Sequence, residues 1–283
     1  MNIKFGFRTD IGKKRKENQD CLFTIKINIV QGQDDSEIGF FGVADGMGGL
    51  EEGDKASRLA IEAVISEVLP KIIGLDELEP STKSHPGLTT QEDILRKAFL
   101  RAHDLIFDYS RNKLIDGKIG TTLSVVLLQN NFIYTANVGD SPIYLICNDE
   151  VEELYVSDKW VDTMVRQGEM TEESALEANP GRNVLSQYIG SGKEIRVHTS
   201  SLSYEESCKI LICSDGLTDP STFDKKITSR ELKELIKDVE DPQEACNKLV
   251  DEANNRGGKD NITAILIEVK HKEKEIEEDT KNG

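Results

Sequence analysis

Four aspartates stand where an apolar run gives way to a turn. Phe40-Phe41-Gly42-Val43-Ala44 leads into Asp45-Gly46-Met47-Gly48-Gly49, and Ile210-Leu211-Ile212-Cys213-Ser214 leads into Asp215-Gly216. Tyr134-Thr135-Ala136-Asn137-Val138-Gly139-Asp140 places a glycine before the acid, and Asp260-Asn261 opens the run 262–267. Short apolar runs rich in β-branched and aromatic residues predict buried strands. The glycines let the backbone turn sharply beside each acid. A single Asp-Gly pair is an ordinary turn; the recurrence is what points to a site. An ionised carboxylate at the end of a buried strand is costly unless it is compensated, and several at one sheet edge repel one another. Basic residues are few in sequence around Asp45, Asp140 and Asp215, so metal ions are the simplest compensation. The four histidines, His85, His103, His198 and His271, are scattered, which argues against zinc on nitrogen and sulfur ligands. Oxygen-only donors suit magnesium or manganese. Two such ions sharing one carboxylate would activate water for phosphoryl hydrolysis.

A second outlier is the turn from Asp10 to Asp20, where Lys13-Lys14-Arg15-Lys16 precedes Glu17-Asn18-Gln19-Asp20. Arginine can hold a phosphate through two parallel hydrogen bonds, and a solvated basic turn is the plain alternative. The chain as a whole is acidic, with a net charge of -17 over 283 residues. That balance disfavours a nucleic-acid partner or an anionic membrane surface. No apolar run approaches transmembrane length, and the N-terminus lacks a signal-peptide core. The five cysteines, Cys21, Cys147, Cys208, Cys213 and Cys246, show no paired spacing and are expected as free thiols in a reducing cytoplasm.

The elements that must position these residues follow from periodicity. Apolar stretches flank the turn from Thr9 to Asp20. Residues 54–69 carry an amphipathic helical stripe stopped by Pro70, and a second helix follows a capping signature at Thr89 and Glu92. Four short strands lie between 120 and 156, with turns at Gln129-Asn130-Asn131 and Asn148-Asp149 that predict hairpins. Residues 158–194 form a long polar excursion with short helical pieces, the kind of insertion that tends to be functional. Strands return at 195–201 and 208–214. Two capped helices follow, the first at Thr228 with Glu231 and the second at Asp241-Pro242 with Gly257 after its end. The last strand runs from Ile262 to Val269, and residues 270–283 are charged and expected to be disordered. Helices grouped apart from antiparallel strands imply an α+β architecture of layers, read as a single domain over 1–269.

Taken in order, the motifs resemble a known family. Arg15-Lys16-Glu17-Asn18-Gln19-Asp20, Val43-Ala44-Asp45-Gly46-Met47-Gly48-Gly49, Gly120-Thr121-Thr122, Asn137-Val138-Gly139-Asp140-Ser141, Cys213-Ser214-Asp215-Gly216 and Asp260-Asn261-Ile262-Thr263 are similar to those of the metal-dependent serine/threonine protein phosphatases of type 2C, the PPM family, in its bacterial branch. The likeness runs from about Phe5 to Val269. Six ordered motifs are specific where one is not.

The resemblance implies two stacked antiparallel β-sheets flanked by helix pairs, a four-layer α-β-β-α sandwich with a flap at about 157–192. It implies two Mn2+ or Mg2+ ions bridged by Asp45, with the Gly46 carbonyl, Asp215 and Asp260 as further ligands. A third ion is implied at Asp140 with Asp215. Arg15 would bind substrate phosphate, and Gln19 with Asp20 would order metal-bound waters. A hydroxide bridging the two ions would then hydrolyse phosphoserine or phosphothreonine in proteins without a phosphoenzyme. The implied partners are phosphoproteins and an opposing serine/threonine kinase, in cytoplasmic signalling. The sequence departs from the pattern at Met47, where many members carry a histidine proposed as general acid. It departs also at Gln19, at Pro142, and at Ser157-Asp158-Lys159-Trp160, where relatives often carry Asp-His-Ser. Two other classes stay open at this stage: a regulatory phosphoprotein-binding module of the same fold with little turnover, and a small-molecule phosphatase. The latter is disfavoured by the lack of a glycine-rich nucleotide loop.

Overall fold

A computed structural model describes residues 1–31, 34–48, 52–74, 90–112, 119–177, 184–192, 194–204, 206–219 and 227–270. Two antiparallel sheets stack face to face. The first has the order β1 (Asn2–Asp10), β11 (Ile262–Lys270), β10 (Cys208–Cys213), β7 (Ile143–Cys147) and β8 (Glu150–Glu153). The second has the order β2 (Asp20–Gln31), β3 (Asp34–Met47), β5 (Leu123–Gln129), β6 (Phe132–Val138) and β9 (His198–Ser203), with the two-residue β4 (Gly120–Thr121) paired onto the end of β3.

The central strands read as continuous apolar runs because both their faces are covered. In β3, Phe40 and Ala44 face one core while Phe41 and Val43 face another. The first core lies under α1 (Glu52–Ile72) and α2 (Gln91–Asn112), and the second lies between the sheets. A third core packs Leu211, Cys213, Ala264 and Leu266 under α6 (Ser229–Ile236) and α7 (Pro242–Arg256). The layers are therefore helix, sheet, sheet, helix, as the family resemblance implies. Between β8 and β9 lie α3 (Trp160–Arg166) and α4 (Glu172–Glu177), and α5 (Asp215–Thr218) follows β10 directly.

Local signals explain most boundaries. Asn130, Asn131, Asn148 and Asp149 all adopt positive φ, the primed hairpin conformation that asparagine and aspartate tolerate. Thr228 and Glu231 make the expected reciprocal cap of α6, and Asp241 caps α7 ahead of Pro242. Two expectations shift. Helix α1 continues through Pro70 to Ile72, because a proline in the last turn removes only one terminal bond. The cap of α2 is made by Thr90 and Asp93, whose Oγ1 and Oδ2 accept from each other's backbone N–H; Thr89 lies outside the described residues. So do the chain beyond Lys270, residues 178–183 within the flap, and residue 193 just after it.

The free-thiol expectation is corrected at one pair. Cys147 and Cys208 form a disulfide with a Cα–Cα distance of 4.8 Å, and Cys21, Cys213 and Cys246 remain free. The antiparallel register that pairs Ile146 with Lys209 sets Cys147 opposite Cys208. They lie 61 positions apart in sequence, so no spacing rule shows the pair. The cysteine argument for a reducing compartment loses that support. Among the described residues, no helix is long and apolar enough to cross a membrane.

Candidate metal centre

Antiparallel pairing brings one end of every central strand to the same edge. Asp45, two residues before the end of β3, stands directly opposite Asp20 at the start of β2. Asp140 follows β6, Asp215 follows β10, and Asp260 precedes β11. All five sequence-predicted acids thus meet at one rim.

The polar residues inside the motifs hold this arrangement together. Thr121 Oγ1 and Thr122 N–H each donate to the Asp45 carbonyl at 2.9 Å, and Asp45 N–H donates to Thr122 Oγ1 at 3.0 Å. Gly120-Thr121-Thr122 therefore fixes the backbone that presents Asp45. Ser141 Oγ lies 2.6 Å from Thr122 Oγ1, which ties the Asp140 turn to the same point. Ser214 Oγ and Thr263 Oγ1 donate to Asp20 Oδ2 at 2.8 and 2.7 Å, joining the two sheets. Asn261 anchors the basic turn: its Nδ2 donates to the carbonyls of Ile11 and Glu17, and its Oδ1 accepts from Gln19 N–H. Sequence reading had no role for Asn261, Ser57 or Asp158. Ser57 Oγ donates to the Gln19 carbonyl at 2.7 Å. Asp158, 3% exposed, accepts from Gly139 N–H at 2.9 Å beside Asp140. Their contacts are tertiary and leave no mark in local sequence.

Two glycines are required by close approach. A Cβ on Gly46 would stand 2.1 Å from the Gly53 carbonyl oxygen, and one on Gly216 would stand 1.9 Å from that of Asn261. The Gln19 amide lies against Gly53, at the first turn of α1.

Electrostatics marks the rim as short of positive charge. Burial, then the charges of Asp20, Asp215, Asp140 and Asp260, push the Asp45 carboxyl well above the usual range. Burial and the nearby Asp140 carry Asp215 up to about 7, against the lowering influence of Lys159. Burial carries Asp20 up to about 6, despite its hydroxyl donors. Asp20 Oδ1 is buried with no partner. An oxygen-only set in which burial and mutual repulsion oppose the ionisation of Asp45, Asp215 and Asp20, with one orphaned carboxylate oxygen, fits divalent cations as the missing charge. Among the described residues, no three acidic, histidine or cysteine side chains close into a ready-made cage. Instead two basic side chains reach in. Arg15 Nη2 donates to Asp260 Oδ2 at 2.5 Å. Lys159 Nζ stands 3.3 Å from Asp140 Oδ2 and 3.8 Å from Asp215 Oδ2. Burial lowers the Lys159 pKa, but Asp140 and Asp215 outweigh it and hold the ammonium charged. Sequence reading noted Lys159 only as a departure from pattern; an isolated lysine in a polar segment gives no sign that it is buried.

Other chemistries are closed off by the same geometry. The Ser214 and Ser141 hydroxyls are fully buried in the bonds just described. Cys213 is fully buried, and burial pushes its thiol well up, so it is no nucleophile. His103 Nδ1 accepts from Gly190 N–H, and His198 pairs with Asp158 at 3.0 Å.

Comparison with known proteins agrees with this architecture. The family model described as Protein phosphatase 2C matches residues 7–163, and that of stage II sporulation protein E matches 112–270. The serine/threonine phosphatase stp of Listeria innocua is 31% identical over 265 residues, covering 93% of this chain and 94% of that one. The solved serine/threonine phosphatase of S. agalactiae superposes with a TM-score of 0.74 at 26% identity, covering 94% and 99%. The catalytic domain of the serine/threonine protein phosphatase PstP, solved in complex with 2 manganese ions, shares the fold with a TM-score of 0.67 at 23% identity, covering 95% and 99%. This chain belongs to the protein phosphatase 2C family, the PPM-type serine/threonine phosphatases, and is an enzyme of that class.

Proposed function

We propose that the rim formed by Asp45, Gly46, Asp215 and Asp260 holds two divalent cations, Mn2+ or Mg2+, and that the enzyme uses water there to hydrolyse phosphoserine and phosphothreonine in proteins. The observation that carries this reading is the group of buried and half-buried, mutually repelling carboxylates at one sheet edge, with Asp45 at its centre. When bound, the ions supply Lewis acidity and a water of lowered pKa, so no phosphoenzyme is needed. Ser141 and Ser214 are engaged in hydrogen bonds and Cys213 is buried with its thiol pushed well up, which among the described residues beside the acids supports that choice of nucleophile.

The protein's own groups do the rest. Asp45 would hold a cation through its carboxylate, and Thr121 and Thr122 hold its backbone rigid. Asp20, half satisfied by Ser214 and Thr263, keeps one oxygen to orient water, and Gln19 buttresses the same turn. Arg15, on the exposed side of the rim, uses one nitrogen on Asp260. Its remaining N–H donors are available to fork onto a phosphate, and a cation taking up Asp260 would release the rest. Met47 cannot donate a proton, so the leaving oxygen is protonated by water rather than by a side chain at that position. Residues 1–269 act as one phosphatase domain with 157–192 as its flap. Kinship with bacterial serine/threonine phosphatases supports action in a bacterial cytoplasm, on phosphoproteins and opposite a serine/threonine kinase.

The test separates binding from chemistry. With a phosphothreonine peptide and Mn2+, Arg15→Ala is expected to raise KM at least about tenfold, the loss of one charge-assisted contact of about 1.5–3 kcal/mol. Arg15→Lys restores only part of it, because a single ammonium cannot fork. Unchanged KM in both variants would remove Arg15 from the phosphate site.

A further inference from the structure

Lys159 is not a surface lysine that happens to lie near an acid. Its side chain is 15% exposed, and its backbone is pinned on both sides. Asp158 N–H donates to the Gly139 carbonyl at 3.0 Å, Ser186 N–H donates to the Asp158 carbonyl at 2.8 Å, and Trp160 N–H donates to the Val184 carbonyl at 2.7 Å. Lys159 itself makes an isolated antiparallel bridge with Leu185. The Asp158 carboxylate locks the segment further by accepting from Gly139 N–H and from Gln187 Nε2 at 2.8 Å. This corner is built against the very turn that carries Asp140. From it, the ammonium is delivered between Asp140 and Asp215.

Those two carboxylates are the pair a third divalent ion would need. A divalent cation binds carboxylate oxygen at about 2.0–2.6 Å, so an ion between the same two oxygens would share the space of the ammonium and meet its repulsion. A protonated lysine has no lone pair to offer as a ligand. We infer that Lys159 is a tethered cation that occupies the place of a third metal ion, so that the enzyme binds two ions and no third, and that this contact fastens the flap to the rim. The inference rests on the two-ion reading above, and it assigns to one flap residue both charge compensation and positioning.

The experiment counts ions. Full-length enzyme stripped with chelator is dialysed against saturating Mn2+, and bound manganese is measured per chain. Wild type and Lys159→Arg are expected to hold two. Lys159→Ala and Lys159→Gln are expected to hold three, the third being the weakest. Fluorescence of Trp160, the sole tryptophan and the neighbour of Lys159, reports the flap: it should shift in Lys159→Ala without metal and move back as the third ion fills. Three ions in wild type, or two in both neutral variants, overturns the inference. Asp45→Asn keeps its failure distinct from failure of the two-ion reading. If that variant still binds two ions, the core site is wrong; if it loses them while Lys159→Ala gains none, only the role of Lys159 is wrong.

Discussion

Asp45→Asn is expected to lower kcat by about a thousandfold, on the order seen when one preorganised electrostatic anchor of a transition state is removed, while leaving the metal-free protein at least as stable as wild type. The two effects have one cause. Asp45 sits among Asp20, Asp215, Asp140 and Asp260, and without cations its charge is opposed by theirs and by burial. Asparagine keeps the shape of the protonated acid and removes the charge. The same physics sets a pH dependence. Asp20, Asp215 and Asp45 all have folded pKa values above the unfolded one, with Asp20 at about 6 and Asp215 at about 7. Their stabilisation is therefore fully present below about pH 4, the unfolded carboxyl value, and is lost as pH rises through 6 to 7. Chelator-treated wild type should melt at progressively lower temperature between about pH 5 and pH 8. Asp45→Asn should show a shallower decline. Saturating Mn2+ should raise the melting temperature most at the alkaline end, because a ligand of the folded state alone stabilises it by mass action. A variant that melts well below wild type at pH 8 without metal would contradict the charge argument.

Gly216→Ala should be nearly as damaging to activity, by a different route. The added Cβ would lie 1.9 Å from the Asn261 carbonyl oxygen and 3.4 Å from the Asp260 Cβ. Neither neighbour is the end of a flexible side chain, so the backbone must move. Asn261 is also what holds the basic turn through Ile11, Glu17 and Gln19. One methyl thus displaces Asp215, Asp260 and Arg15 together. The expected cost is about 1–3 kcal/mol of stability from overpacking, with turnover reduced at least a hundredfold, on the scale of losing an active-site donor. Gly74→Ala is the control, since a Cβ there meets nothing within 4 Å; its positive φ limits the effect to local backbone strain. Equal activity in Gly216→Ala and wild type would show that the close approach of α5 to the Asp260 loop is not needed.

The acids were legible in the sequence because each ends a strand buried on both faces, and such strands read as unbroken apolar runs. The capped helices and asparagine hairpins were legible for the same local reason. What lay beyond reach was whatever two distant segments make between them. The Cys147–Cys208 pair depends on the register of β7 with β10. The docking of Lys159 between Asp140 and Asp215 depends on how the segment after β8 folds back against the Gly139 turn. Asn261 reads as a turn residue beside an acid, and only the packed structure shows that it carries three bonds to the basic turn. The type and company of Arg15 leave a solvated turn and a phosphate ligand both open, and only the family resemblance implies the second; its contact with Asp260 is one that no pattern within residues 10–20 contains.

The most direct test is phosphate release from a phosphothreonine peptide by chelator-stripped wild-type enzyme as Mn2+ is added back. The account predicts no measurable turnover in the stripped enzyme, saturable recovery with Mn2+, and recovery to no more than about a thousandth of the wild-type level in Asp45→Asn. Turnover that survives chelation, or that Asp45→Asn recovers in full, would contradict it.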